Sequence, residues 1–388
     1  MRKIVIASDS FKGSLTSLEV AEAAAKGIAS VLPECVAICM ETADGGEGTS
    51  EVLAKALGAR KTGTWVHDPL GRIIEAEYGI AEIEGRKTAV MEMSKASGLT
   101  LLAPEERNPL NTSTYGTGEM ILDALEKGCR RFLIGIGGSA TNDAGAGMLE
   151  ALGFRFFDTE GRQMAGLCGG NIGRIGRIEA PSIQREAEFT IACDVDTPFC
   201  GPEGAAAVFG PQKGATPESI AFLEDGMLNL RRIIIRECGI DLHEVPGSGA
   251  AGGLGGAFKA FLNARLSKGI DMVLDAIGFD QAIQDADLII TGEGKIDSQT
   301  SKGKVISGIT ERARKHGIPV IAIAGICDID EEQARQLGLA AAFPTGPRPQ
   351  NESDLKAAMQ PETASRNISE TIAKALVSLS PSLFHGNP

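Results

Sequence analysis

Apolar runs of strand length alternate with helical spacings at the start of the chain. Residues 3–7 (KIVIA) form a short run rich in β-branched residues, which predicts a buried strand. Thr16 and Glu19 then form a T-x-x-E capping box, so we expect a helix to begin there. A second strand is predicted at 36–40, and Gly58 ends the helix that follows it. This βαβα order predicts a parallel, doubly wound sheet.

The pattern changes after residue 59. Residues 60–94 alternate polar and apolar positions, with turn sequences at 68–71 and 84–85, which predicts an antiparallel meander. Apolar runs at 132–136 and 189–193 then restore the strand–helix alternation. Nearer the C-terminus, strands are predicted at 286–291, 319–324 and 339–343, and helices over about 303–315 and 365–378.

These elements together predict an α/β protein of two domains. Residues 1–60 and 285–388 form a flavodoxin-like domain with a parallel sheet, and residues 61–284 form an inserted second α/β domain with a mixed sheet. The strand at 132–136 could belong to either sheet. A length of 388 residues agrees with two domains, because single hydrophobic cores rarely grow so large.

Composition and charge exclude several kinds of partner. The formal net charge is -13 and no basic run occurs, so nucleic acid is not an expected partner. No apolar stretch is long enough to cross a bilayer, and no cleavable apolar segment precedes the first strand, so we expect a cytoplasmic protein without a membrane partner. The eight cysteines include no CxxC pair and no Cys/His cluster of zinc-finger spacing.

Two Gly-containing loops near the N-terminus carry candidate binding groups. The loop SDSFKGS follows the first strand, where Lys12 and Ser14 could bind a phosphate or carboxylate. A plain turn with a solvated lysine explains it equally well. The loop ADGGEGT supplies Asp44 and Glu47, which could hold Mg²⁺ or accept hydrogen bonds from substrate hydroxyls. The alternative is a surface turn in which the aspartate caps the next helix.

A longer Gly-rich loop, GIGGSATNDAG at 135–145, follows a predicted strand and opens a helix. Its backbone N–H groups at Gly137, Gly138 and Ser139 could cradle phosphate. It matches neither a Walker loop nor a clean dinucleotide fingerprint. Close packing of a helix on a strand would explain the same glycines.

The segments ACDVDTP and VFGPQKG pair an acid with a cation. Asp194 lies where a strand is predicted to end, just before Pro198, and Lys213 lies in a loop bounded by Gly and Pro. We expect Asp194 to orient and deprotonate an attacking hydroxyl, and Lys213 to neutralise charge on a transferring phosphoryl group. The alternatives are a helix cap and a solvated loop charge.

The segment TGEGKID follows the strand predicted at 286–291. Glu293, Lys295 and Asp297 alternate, so an extended loop would place all three side chains on one side. The run PGSGAAGG at 246–253 precedes a helix and could approach a nucleotide closely, or could serve as a hinge.

Several motifs in a fixed order make the chain resemble the class I glycerate kinase family. The matching stretches are SDSFKGSLTS at 8–17, ADGGEGT at 43–49, GIGGSATNDAGAGM at 135–148, ACDVDTP at 192–198, VFGPQKGA at 208–215, GAAGGLGGA at 249–257 and TGEGKIDSQT at 291–300. One block alone would be weak evidence, whereas seven in sequence are strong.

The resemblance implies an enzyme that phosphorylates D-glycerate with ATP and Mg²⁺, typically giving 2-phosphoglycerate. It also implies a flavodoxin-like domain and a second α/β domain, with the active site between them. Carboxylates for the metal would come from Asp44, Glu47, Glu293 or Asp297. Lys295 stands where the family commonly has Arg; it keeps the charge but lacks the bidentate geometry.

Two other classes of function remain as alternatives at this point. One is a nucleotide-dependent oxidoreductase built on the βαβ opening, which an ATP-consumption assay without added redox cofactor would separate from a kinase. The other is a non-catalytic sensor of sugar acids with the same fold. The acidic residues at 44–47 and 293–297 are present, which counts against the sensor.

Overall fold

The computed structural model describes residues 2–43, 49–181, 186–297, 300 and 305–379. Its strands are β1 (Lys3–Ser8), β2 (Val36–Glu41), β3 (Arg60–His67), β4 (Ile73–Ile83), β5 (Arg86–Glu92), β6 (Arg131–Gly135), β7 (Arg155–Asp158), β8 (Gln163–Met164), β9 (Ile175–Glu179), β10 (Glu188–Ala192), β11 (Arg265–Ser267), β12 (Leu288–Ile296), β13 (Val320–Cys327) and β14 (Ala341–Pro344).

Helices connect most of these strands. They are α1 (Ser17–Val31), α2 (Thr49–Ala56), α3 (Ser94–Ser97), α4 (Tyr115–Glu126), α5 (Ala146–Ala151), α6 (Ala205–Phe209), α7 (Pro217–Cys238), α8 (Ala250–Leu262), α9 (Gly269–Ala276), α10 (Phe279–Ile283), α11 (Val305–Lys315), α12 (Glu331–Gln336), α13 (Glu352–Ala358) and α14 (Pro361–Ser378). The predicted capping box is confirmed at the start of α1, where the Glu19 side chain accepts the Thr16 N–H and the Thr16 side chain accepts the Glu19 N–H.

The chain divides into two compact units: unit 1 is Met1–Asp44 with Ile270–Pro388, and unit 2 is Gly45–Gly269. The sheet of unit 1 has the order β14-β13-β12-β1-β2, and every neighbouring pair is parallel. Renumbered within the unit from the β2 edge, this order is 2-1-3-4-5, which defines a flavodoxin-like sheet. The prediction of a flavodoxin-like domain is therefore confirmed.

Alternate residues of the central strands of unit 1 pack against helices on opposite faces, because successive side chains of a strand point to opposite sides. Ile4 and Ile6 of β1 pack with helices α1 and α14. Val5 and Ala7 pack with α9, α10 and α11. Both faces are thus covered, as expected of a parallel sheet.

Unit 2 contains a six-stranded mixed sheet of order β11-β10-β6-β5-β4-β3. Strands β5, β6, β10 and β11 pair in parallel, whereas β3, β4 and β5 form an antiparallel meander. The predicted meander and the mixed sheet are confirmed, and the strand predicted at 132–136 belongs to this sheet as β6. A separate antiparallel sheet has the order β8-β7-β9.

The boundaries between the units fall earlier than the sequence suggested at both junctions. Helix α2 packs on β4 and β5 of unit 2, although the sequence pattern predicted that residues 1–60 belong to the flavodoxin-like domain. Helices α9 and α10 contribute Leu274 and Phe279 to the core of unit 1, although the sequence pattern predicted that residues 61–284 belong to the second domain. An amphipathic pattern shows that a helix covers a sheet but does not show which one.

The segment TGEGKI is part of a strand and not a loop, which corrects the predicted end of the strand at residue 291. Strand β12 continues to Ile296 because it pairs with β13 along its whole second half, with Glu293 opposite Ala324 and Lys295 opposite Ile326. The ladder to a neighbouring strand here outweighs the weak strand preference of glycine.

Candidate active site

A cavity of about 940 Å³ lies in unit 1 at the carboxyl ends of the parallel strands. It is lined by the loop after β1, the second half of β12, the end of β13, the segment after β14, and helices α13 and α14. Strands β1 and β12 are neighbours in the sheet; β2 lies on the outer side of β1, and β13 and β14 follow on the outer side of β12, so the strand order reverses between β1 and β12. At this point the Asp9 N–H donates to the Gly292 carbonyl oxygen at 2.9 Å. Such a switch point is where open α/β sheets bind ligands.

The cavity brings together five of the residues predicted from sequence. These are Lys12, Ser14, Glu293, Lys295 and Asp297. Lys12 is exposed, whereas Glu293 is only 8% exposed. Their convergence from two distant stretches of the chain agrees with a shared binding role.

Lys295 and Asp297 form an ion pair at the cavity, with Nζ 2.9 Å from Oδ2. The hydrogen bond to Asp297 raises the pKa of Lys295, so the ammonium stays charged. The extended backbone predicted for this segment is present at Glu293 and Lys295, which lie in β12, whereas Asp297 follows the end of the strand at Ile296. The Ser14 hydroxyl oxygen is buried and has no hydrogen-bond partner within the described part of the chain.

Sequence reasoning missed several residues that line the same cavity. Asp9 follows β1, Arg348 follows β14, and Leu355 and Met359 lie along and just after α13. Arg348 is held at 3.1 Å from Oδ1 of Asp328. The signal that could have found Arg348 is the run PTGPRPQ, a Gly- and Pro-rich segment with a cation directly after a strand.

The long Gly-rich loop of unit 2 follows β6 and leads to α5, as predicted. Gly137 and Gly138 are exposed and Ser139 is 8% exposed. Much of the remaining loop backbone is occupied by the protein itself: the Ala140 N–H donates to the Ser97 carbonyl oxygen at 2.9 Å. A phosphate cradle in this loop would therefore be confined to its exposed glycine end.

Asp143, at the far end of this loop, is a fully buried carboxylate with four hydrogen bonds. It accepts from the N–H and hydroxyl of Thr114 and from the N–H groups of Gly145 and Gly147, at 2.8 to 3.2 Å. Burial raises the pKa of Asp143, and the four hydrogen bonds oppose that shift. The residue fixes the turn into α5, and it was not predicted as a site residue.

Lys213 is buried beside the same loop. It ends a short 3-10 turn, Pro211–Lys213, is 1% exposed, and donates from Nζ to the Thr141 carbonyl oxygen at 2.6 Å. Burial lowers the pKa of Lys213 to about 7, and the charge of Asp143 partly opposes this shift. The predicted role of Lys213 on a transferring phosphoryl group stays a prediction; in the structure its ammonium faces the backbone of the neighbouring loop, which suits support of that loop.

The run at 246–253 packs against this loop and begins α8. Ala251, Gly252 and Gly253 have φ values of 53°, 68° and 91°, in the left-handed region. A Cβ atom at Gly252 would clash with the Thr141 carbonyl oxygen, so this close approach requires glycine. In the structure this glycine run closely approaches the backbone at Thr141; its close approach to a nucleotide stays a prediction.

Asp194 lies two residues beyond the end of β10 and is exposed. Its Oδ1 accepts the Gly269 N–H at 2.8 Å, which orients the carboxylate. Asp44 and Glu47 lie outside the described residues.

Within the described ranges, no three His, Cys, Asp or Glu side chains are grouped as in a metal cage made of protein ligands alone. Among the described helices, none is long and apolar enough to cross a bilayer.

A flavodoxin-like sheet with a charged cavity at its carboxyl edge is typical of α/β enzymes that act on small molecules. Comparison with known proteins narrows this class. The model of the glycerate kinase family matches residues 4–379. The chain belongs to the glycerate kinase family.

Relatives in several bacteria support this assignment. The chain is 45% identical to a glycerate kinase of Halalkalibacterium halodurans over 376 residues, which cover 95% of this chain and 97% of that protein. It is 44% identical to the glycerate 2-kinase of Escherichia coli K12 over 344 residues, or 88% of this chain and 90% of that protein. A crystal structure of a Salmonella typhimurium LT2 protein assigned as glycerate kinase 2 superposes with a TM-score of 0.83 at 41% identity, covering 97% of this chain and 98% of that one.

Proposed function

We propose that this protein is an ATP-dependent kinase that phosphorylates D-glycerate, with 2-phosphoglycerate as the favoured product. Membership of the glycerate kinase family over residues 4–379 carries the proposal. The 44% identity to a relative named glycerate 2-kinase favours the hydroxyl at carbon 2 as the acceptor. In the reaction this hydroxyl oxygen bonds to the γ-phosphorus of ATP, the bond from that phosphorus to ADP breaks, and the hydroxyl proton is released.

Mg²⁺ fits the carboxylates of the unit 1 cavity. This ion usually takes one or two carboxylates, keeps several waters and bridges substrate phosphates, so it needs no cage of three protein ligands. Glu293 and Asp297 line the cavity and would supply these carboxylates; Asp44 and Glu47 remain part of the proposed set. Bound there, the ion would withdraw negative charge from the phosphoryl oxygens during transfer.

We propose Asp194 as the group that orients the glycerate hydroxyl and takes its proton. Its carboxylate is exposed two residues beyond the end of β10, and the hydrogen bond from the Gly269 N–H to Oδ1 orients it. A carboxylate in this role accepts a proton as the oxygen nucleophile forms its bond.

Gly137, Gly138 and Ser139 stay proposed as binding residues, because the two glycines are exposed and Ser139 follows them directly in the long loop. Lys213 would be a positioning residue that holds this loop through the Thr141 carbonyl oxygen. Lys12, Ser14 and Lys295 would bind phosphate or carboxylate groups in unit 1.

Formation of ADP tests the proposed activity. The full chain is incubated with ATP, Mg²⁺ and D-glycerate, and ADP is followed with pyruvate kinase and lactate dehydrogenase as coupling enzymes. We expect ADP formation to depend on D-glycerate and to stop when a chelator removes the metal. In the chelator experiment the coupling enzymes are added afterwards in a separate step with fresh Mg²⁺, because pyruvate kinase itself needs the ion. Full activity after complete metal removal would contradict the metal role, and no ADP with D-glycerate would contradict the kinase.

We further propose a cytoplasmic location. All eight cysteines are free thiols, which suits a reducing compartment. ATP, the proposed phosphoryl donor, is also a cytoplasmic metabolite.

A further inference from the structure

We infer that the cavity of unit 1 binds the nucleoside triphosphate, together with its Mg²⁺, and not the three-carbon acid. This inference rests on the proposed kinase function and adds to it the identity of the ligand that occupies this cavity. Three properties of the cavity support it: its size, the division of its wall into apolar and charged parts, and its balance of charge.

The size suits a large ligand. Pockets for ligands of drug or cofactor size measure about 300–1,000 Å³, so a cavity of about 940 Å³ is near the upper end. A water molecule occupies about 30 Å³ in the liquid, and a three-carbon acid is equivalent to only a few waters. Glycerate alone would leave most of the cavity unfilled, whereas a nucleoside triphosphate would occupy it.

One part of the wall is apolar and suits a base. Its apolar lining residues include Phe11, Leu355 and Met359. Leu355 lines the cavity and is 37% exposed, so it presents apolar surface that a ligand could cover. Gly294 of β12 also lines the cavity, so strand backbone without a side chain forms part of this wall.

The charged part of the wall suits a triphosphate that carries a metal ion. Its cations are Lys12, Lys295 and Arg348, and its carboxylates are Asp9, Glu293, Asp297 and Asp354. Since acids outnumber cations, a triphosphate without a metal ion would meet net repulsion. Mg²⁺ on the phosphates would reverse this, because the carboxylates would then face the ion while the cations face the phosphate oxygens.

A pair of tryptophan variants on one helix tests the inference. Ala358→Trp adds bulk to the cavity wall, whereas Ser353→Trp adds the same bulk at an exposed position of α13 outside the lining. Titration calorimetry with Mg²⁺ and a non-hydrolysable ATP analogue gives the Kd, and steady-state kinetics give KM for ATP and for D-glycerate. We expect Ala358→Trp to raise the Kd and the KM for ATP at least tenfold and to leave the KM for glycerate within twofold.

The matched variant Ser353→Trp should leave all three constants within twofold of wild type. A rise in the KM for glycerate alone in Ala358→Trp would overturn the inference, as would unchanged constants in both variants. Either result would leave the proposed kinase activity standing. A third outcome separates the two proposals. If the protein does not phosphorylate glycerate but binds the nucleotide, and Ala358→Trp weakens that binding, the nucleotide site is supported and the proposed function is overturned.

A second pair of variants keeps the test decisive if Ala358→Trp does not fold. Arg348→Gln removes a cation from the lining, and Arg366→Gln removes an exposed cation of α14 that does not line the cavity. We expect Arg348→Gln to raise the Kd for the Mg²⁺–nucleotide complex about fivefold and Arg366→Gln to leave it unchanged. The inference would be overturned if both variants changed the Kd for the nucleotide equally, or if Arg348→Gln changed only the KM for glycerate.

Discussion

The two units hold the lysines of their Gly-rich segments in opposite surroundings. In unit 1, Lys295 lines a cavity with its side chain 54% exposed, and Lys12 beside it is also exposed. In unit 2, Lys213 is 1% exposed and its ammonium bonds to the backbone of a neighbouring loop. The first arrangement presents positive charge at the wall of a cavity, and the second uses charge to hold a loop in its conformation.

The difference has a physical cause that other residues illustrate. An exposed ammonium keeps its hydration until a ligand replaces the water, whereas a buried one must find its partners within the protein. Arg312 of unit 1 is also buried, and it bonds Asp275 and Asp280 at 2.7 and 3.0 Å; none of these three residues lines the cavity. Buried cations thus support packing in both units, and the cations of the cavity are the candidates for ligand binding.

The largest expected effect is on stability, from Lys213→Ala. The substitution opens a space where a fully buried side chain stood and leaves the buried Thr141 carbonyl oxygen without its donor, so the free energy of unfolding should fall by about 3 kcal/mol. The matched change Lys12→Ala removes an exposed lysine and should alter stability by no more than about 0.5 kcal/mol. Urea and thermal unfolding measure both. Equal losses in the two variants would break the contrast between the units.

The next largest effect is on turnover, from Asp194→Asn. An amide oxygen can still accept the Gly269 N–H, so the fold should be kept while the base is lost, and kcat should fall about 10²-fold with little change in KM. Asp196→Asn, an exposed neighbour, serves as the control and should retain full activity. A wild-type kcat in Asp194→Asn would remove this residue from the proposed mechanism.

A smaller effect is expected on nucleotide affinity, from Lys295→Ala. Loss of one ammonium facing the phosphates should raise the KM for ATP about tenfold, equivalent to about 1.4 kcal/mol. Lys295→Arg retains the charge and the ion pair with Asp297, so it should restore a KM near that of wild type. Steady-state kinetics with each substrate varied in turn measure this. A larger change in the KM for glycerate would assign Lys295 to the acid.

The smallest effect is a pH dependence of stability that Lys213 should cause. Its pKa is lowered from 10.5 to about 7 in the folded protein, so between these values the unfolded chain binds more protons than the folded one. Stability contributed by this residue should therefore rise by roughly 1 kcal/mol between pH 7 and pH 8. In Lys213→Met this rise should be absent. Identical pH profiles of the unfolding midpoint in the two proteins would show that Lys213 does not titrate in this range.

Local sequence patterns were sufficient to predict the flavodoxin-like sheet but not its limits. Alternating strands and helices, with the capping box at Thr16 and Glu19, identify βα units whatever surrounds them. Helix α2 and helices α9 and α10 were grouped with the other unit, because their amphipathic patterns are satisfied by either sheet. The extension of β12 was missed because its glycines disfavour a strand locally, and only pairing with β13 compensates.

The candidate site shows the same division between local and long-range information. Lys12, Glu293, Lys295 and Asp297 were predicted because polar groups directly after a strand pattern are a local signal, and they do line one cavity. The burial of Lys213 could not be predicted, since it depends on contact with the loop at Thr141, far away in the chain. Leu355 and Met359 look like ordinary residues of a surface helix, and only the folded unit places them at the cavity.

Phosphorus NMR of the reaction product tests the central claim most directly. The protein is incubated with ATP, Mg²⁺ and D-glycerate, and the phosphate ester is examined without proton decoupling. A phosphate on carbon 2 couples to one proton and gives a doublet, whereas a phosphate on carbon 3 couples to two protons of the CH₂ group. We predict a new doublet that appears together with ADP. A signal with the CH₂ pattern would contradict the assignment of the acceptor hydroxyl, and the absence of any new phosphate ester would contradict the proposed function.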